Sequence, residues 1–245
     1  YYSRQFAEAI EAYQAISKIS LTQETKNAIR VNMAKCYANL GDDKAAIQTC
    51  QVIIKEGPNG SYAAQSVHQI GNLFVRRYQY KEAILACSEL ADSYPNTRTA
   101  AIAEYLIAQY FYAQGQYESA IECYQSFLEA YPTSPYQSSA VVSLIRLYTS
   151  QRRYVDAETL IRGRLAQNPV DADMMERLGD LYKHQGKHDK ALSVYRTVLK
   201  RHPNNTNLRK KLGEVYAEKG QREQAIEEWA RIIESNPNQP NRYQQ

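Results

Sequence analysis

No apolar run in this chain approaches the roughly 18 residues that a membrane-spanning helix requires, so no direct membrane insertion is expected. Glycine is scarce, with 10 among 245 residues, and long alternating runs of Val, Ile and Thr are missing. Strands and tight hairpins are therefore without their usual signals. The four cysteines, Cys36, Cys50, Cys87 and Cys123, form no CxxC pair, which removes the common zinc and dithiol motifs. There is no P-loop, GxGxxG, HExxH or GxSxG pattern. The chain is accordingly read as non-enzymatic, with no catalytic, cofactor or metal residues and no cofactor. Positive charge is not concentrated either: residues 1–169 carry 16 basic and 15 acidic side chains, and residues 170–245 carry 14 and 11. A nucleic-acid binder would gather its excess on one patch or stripe, so no nucleic-acid partner is expected.

What the sequence does have is a period. Prolines fall at Pro58, Pro95, Pro132, Pro169, Pro203 and Pro237, spaced 37, 37, 37, 34 and 34 residues apart. An alanine stands twelve residues before each: Ala46, Ala83, Ala120, Ala157, Ala191 and Ala225, with Ala9 one period earlier. Twelve residues before that alanine the side chain is usually small (Ala34, Gly71, Ala108, Gly179, Gly213). The preceding position is always apolar, and three residues further on lies Tyr37, Phe74, Phe111, Tyr148, Tyr182 or Tyr216. These offsets trace one face of a helix. Gly41, Gly115, Gly186 and Gly220 mark its end. A second helix carries the repeat alanine and, four residues on, a larger side chain: Tyr13, Cys50, Cys87, Tyr124, Ile161, Tyr195 or Trp229. Proline then closes it, having no N–H to donate. A single hairpin of this kind buries too little to stand alone, so neighbours must stack.

Segments such as GQYESAIECYQSFLEAYP, GKHDKALSVYRTVLKRHP and GQREQAIEEWARIIESNP resemble the second half of tetratricopeptide repeats. The resemblance implies an all-α fold, a right-handed superhelical α-solenoid of stacked antiparallel hairpins running over 1–245. Its divisions are a partial repeat 1–24, repeats 27–61, 62–98, 99–135, 136–170, 171–204 and 205–238, and the start of a further helix at 239–245. The opening YYSRQFAEAIEAY and the tail NPNQPNRYQQ both read as cuts through a unit of a longer protein. The 37-residue units, with YPNT and YPTSPY corners, are similar to tetratricopeptide proteins of the bacterial cell envelope. That suggests an envelope location and leaves the cytoplasm open.

The family's first helices line a concave surface, which implies a set of partner-contacting positions: Lys35 and Asn39; His68, Asn72 and Arg76; Tyr105, Gln109 and Tyr112; Arg146; Asp173, Glu176 and Asp180; Lys210 and Glu214. Val31 with Lys35, and His68 with Asn72, do not reproduce the carboxylate clamp of the chaperone-binding members. The middle of this surface is expected to offer Ile102, Tyr105 and Tyr112 beside Arg76 and Arg146 as an aromatic and basic seat. The C-terminal part, with Asp173, Glu176, Asp180, Glu214 and Glu218, is expected to be acidic. The implied partner is a protein or peptide segment, within a larger complex, held by a non-catalytic scaffold. The alternative is a structural subunit that self-associates into an oligomer or filament.

Some features read as structural. The cysteines occupy packing slots. His184 with Asp180 belongs to a solvated polar face, and Arg76–Arg77, Arg152–Arg153, Lys200–Arg201 and Arg209–Lys210–Lys211 to solvated helix ends. The unit at 136–169 departs most, with Ile145 at the small position, Arg152 at the turn glycine, Arg164 at an apolar position and Gly163 inside the second helix. It reads as drift in a tolerant repeat or as a hinge near 150–170.

Overall fold

A small residue where two helices cross, and a proline where the second must stop, dictate one hairpin per period. The computed structural model describes residues 2–17 and 19–235, and all the regular structure among them is helical. A first helix, α1 (Tyr2–Ser17), precedes three hairpins: α2 (Gln23–Leu40) with α3 (Asp43–Glu56), α4 (Ser61–Val75) with α5 (Tyr80–Ser93), and α6 (Arg98–Ala113) with α7 (Tyr117–Ala130). Then come α8 (Gln137–Ser150) and α9 (Tyr154–Gln167), α10 (Ala172–His184) and α11 (His188–Arg201), and α12 (Thr206–Glu218) and α13 (Arg222–Ser235). The chain divides into two compact units, Tyr1–Val142 and Ser143–Gln245, with the division inside α8. Each unit is a stack of helical hairpins. The helix expected at 239–245 lies outside the described residues.

Polar caps start several first helices. Side-chain oxygens of Thr22, Thr97, Asp171 and Asn205 accept from the backbone N–H three residues on, satisfying a donor the helix leaves open. The first helices end in a left-handed residue. Gly41, Gly115, Gly186 and Gly220 take φ of 69 to 82° there, and Tyr78 and Arg152 hold the same turn at 59° and 58°. The missing glycine at 152 thus changes the strain of the turn and leaves its shape intact.

The repeat alanines Ala46, Ala83, Ala120, Ala157, Ala191 and Ala225 are all buried. Across from them, small residues admit a ring. A Cβ built on Gly179 would lie 2.3 Å from Tyr195 Cε1, and one on Gly213 would lie 2.3 Å from Trp229 Nε1. In the second hairpin the corresponding partner of Gly71 is Cys87, too short to reach. The space is filled instead from the next hairpin: a Cβ on Gly71 would lie 1.9 Å from the Tyr110 hydroxyl. In the α8–α9 hairpin the small and large slots both hold isoleucine, and Ile145 and Ile161 are both buried. Close packing conserves volume across the slot pair while its chemistry changes. Burial pushes the thiols of Cys50 and Cys87 up to about 12, as expected of packing groups. The 37-residue spacing carries its own staple, since Thr99 Oγ1 donates to the Pro58 carbonyl at 2.7 Å and ties the α3–α4 corner to α6.

Candidate partner-binding site

On α2, Lys35 and Asn39 stand four residues apart and share one helical face, while Ile29, Val31, Ala34 and Cys36 are buried. On α4, Gln65, His68, Gln69 and Asn72 follow the same spacing, opposite buried Ala63, Val67 and Ile70. Arg76 is the residue that caps α4. Together these seven, with Ala38 and Leu73, line an open cleft of about 430 Å³. Of the expected contact positions, the structure therefore brings Lys35, Asn39, His68, Asn72 and Arg76 to one place, together with Gln65, which the family's first-helix face also implies, and adds Gln69 beside them. Gln69 lies one step from His68 towards buried Ile70, off the face that the helical spacing of the other positions defines. Its amide nitrogen is buried in the cleft wall without an acceptor among the described residues.

His68 is half-buried and its Nε2 lies 2.8 Å from the Tyr136 hydroxyl. Burial lowers its pKa, so the ring is neutral at neutral pH. Tyr136, in the YPTSPY corner, also stacks on Tyr105 with ring centroids 4.9 Å apart.

That stacking corrects one expectation. Tyr105 is only 6% exposed and Ile102 is fully buried, so neither offers an open aromatic seat. Tyr105 packs against Tyr124, Phe127 and Tyr136 and accepts a bond from Gln109 Nε2 at 2.9 Å. The reason is local: α6 buries residues on nearly every face, leaving Tyr112, half-buried against Tyr117, as its more open ring. Arg146 is exposed on α8, within the second unit.

The acidic expectation for the second unit is also altered. Lys211 Nζ on α12 sits 2.6 Å from Glu176 and 2.7 Å from Asp180 on α10. Lys183 lies 2.7 Å from Glu214 and 3.3 Å from Glu218. Asp180 also accepts from the Tyr195 hydroxyl at 2.6 Å, and Asp173 pairs with Arg177. Burial disfavours charge on Lys211, but its bonds to Asp180 and Glu176 outweigh this and its pKa is raised. These carboxylates hold first helices together and leave little net charge for a visitor. Lys210 remains exposed beside them.

A larger cleft, about 520 Å³, lies between α3 and α5 and includes both Lys55 and Glu89. Its charges are of mixed sign, unlike those of the α2–α4 cleft. Among the described residues no group of three or more His, Cys, Asp or Glu is placed to hold a metal, and no helix is long and apolar enough to cross a membrane.

The architecture defines a helical-hairpin repeat protein. A tetratricopeptide repeat-like domain matches residues 61–215, and the tetratricopeptide repeat matches residues 29–60 and 211–238. The chain belongs to the tetratricopeptide repeat family. It is similar to a tetratricopeptide repeat protein from Parabacteroides merdae, with a TM-score of 0.58 at 16% identity, covering 85% of this chain and 79% of that one. MamA from Desulfovibrio magneticus (residue 41 to the end) gives 0.55 at 19% identity, covering 74% and 98%. At such identities the likeness is one of fold. No curated protein matches the chain.

Proposed function

We propose that this protein is a non-catalytic scaffold that holds a segment of a partner protein, within a multiprotein complex, on the first-helix faces of its N-terminal unit. The observation that carries this reading is the α2–α4 cleft. Five polar side chains expected to contact a partner converge there, on a wall that also buries an amide without an acceptor. A peptide backbone supplies both donors and acceptors to such a polar wall. The tetratricopeptide family supports a protein partner in general terms.

A photo-crosslinking side chain at Asn72, compared with one at exposed Gln48 in the α3–α5 cleft, tests the reading in cells. Position 72 should label a defined partner and position 48 should not. Labelling from position 48 alone, or from neither, refutes it.

A further inference from the structure

We propose that the α2–α4 cleft is a receptor for an acidic peptide, an extended segment of a partner protein bearing several aspartate or glutamate side chains. The inference rests on the partner-binding reading above and names the chemistry that the cleft selects.

The first argument is sign. Lys35 and Arg76 line the cleft, and no carboxylate does. The second is availability. Elsewhere in the unit, Arg30 pairs with Glu56, and Arg77, next in sequence to Arg76, pairs with Asp43 at 2.6 Å. Lys35 and Arg76 have no carboxylate partner among the described residues. Two cations facing one cleft without a counter-charge raise the local potential for an anion.

The third argument is donor supply. An ionised carboxylate is an acceptor only, with about four lone-pair sites, and its bonds to charged donors are the strong ones. Asn39, Gln65 and Asn72 add amide N–H groups around the two cations.

The same lining argues against a nucleic acid. No Tyr, Phe or Trp faces the cleft, and single strands are held by stacking on aromatic rings as well as by backbone charge. An extended peptide suits an open cleft whose amides can bond its main chain while Lys35 and Arg76 take its carboxylates.

Fluorescence anisotropy with the full chain tests this. Three labelled peptides share one glycine–serine backbone and carry glutamate, glutamine or lysine at the same positions. The glutamate peptide should bind at least about tenfold more tightly than the glutamine peptide, and the advantage should shrink as salt rises. Lys35→Gln with Arg76→Gln should erase the preference, with helical circular dichroism unchanged. Equal binding of the glutamine peptide, tighter binding of the lysine peptide, or a glutamate preference that survives the double substitution would each overturn the inference. So would stronger competition from an oligothymidylate than from the glutamate peptide, or failure of all three peptides to bind. If position 72 still labels a partner while the peptides show no acidic preference, only the chemistry named here fails. If position 72 labels nothing, the partner-binding reading fails with it.

Discussion

Gly71 and Tyr110 offer a sharp test of how the hairpins pack. Gly71→Ala places a Cβ 1.9 Å from the Tyr110 hydroxyl and 3.0 Å from Cζ, a collision that the buried Tyr110 ring or one of the helices must shift to relieve. Overpacking of this kind costs about 1–3 kcal/mol, against a gain of about 1 kcal/mol for replacing a helical glycine with alanine. Gly71→Ala alone should therefore destabilise, by up to about 2 kcal/mol. Tyr110→Phe removes the oxygen that makes the closest approach, and the nearest remaining atom is the one at 3.0 Å. In that background Gly71→Ala should become nearly neutral, giving a coupling of up to about 2 kcal/mol in a double-mutant cycle. The assay is urea unfolding followed by helical circular dichroism, read as midpoint shifts at constant m. Gly163 supplies the control: a Cβ there meets nothing within 4 Å, so Gly163→Ala should stabilise by about 1 kcal/mol and add independently of Tyr110. Equal destabilisation by Gly71→Ala in both backgrounds would refute the claim that Tyr110 fills the volume Cys87 leaves open.

Two further outcomes follow from the turns and the ion pairs. Tyr78→Gly should stabilise by about 0.5–1 kcal/mol in the same unfolding assay, since Tyr78 holds φ 59° with its side chain 83% exposed, and a left-handed conformation disfavours any Cβ. Lys211→Met should destabilise by about 1–2 kcal/mol by leaving Glu176 and Asp180 without their cation in a partly exposed site. Because the folded pKa of Lys211 is raised above the ordinary 10.5, its contribution is fully present below that value and is lost as pH rises through the folded one. Unfolding midpoints of wild type and variant should converge above it.

The period, the hairpins and the buried alanines were legible because they depend on local chemistry: small residues at crossings, glycine at turns, proline at ends. Which polar faces stay open was less so. Tyr105 has the spacing of an exposed first-helix residue, yet Tyr136, 31 residues on in a corner without regular structure, stacks over it. Cys87 looks like a shortened member of its slot until Tyr110, from the next first helix, is seen against Gly71. The Gly71–Tyr110 contact joins neighbouring hairpins, and a pattern read one hairpin at a time does not contain it.

Charge on the first-helix faces follows from the same neighbour relation. In the second unit, ion pairs between successive first helices join residues 31 and 35 apart: Asp180 and Glu176 with Lys211, and Lys183 with Glu214 and Glu218. The local period is 34, so these offsets are one period less three and one period more one. In the first unit the period is 37, and the equivalent offsets are 34 and 38. From Lys35 they reach Gln69 and Leu73; from Arg76 they reach Tyr110 and Gln114 forwards, and Ala38 and Asp42 backwards. Asp42 is already the cap of α3, accepting from Ala45 N at 3.0 Å. The rule that neutralises one face therefore finds no free carboxylate on the other. Lys35 and Arg76 stay without a matching carboxylate because the positions that would have supplied one hold two amides, two apolar groups, a phenol and a helix cap.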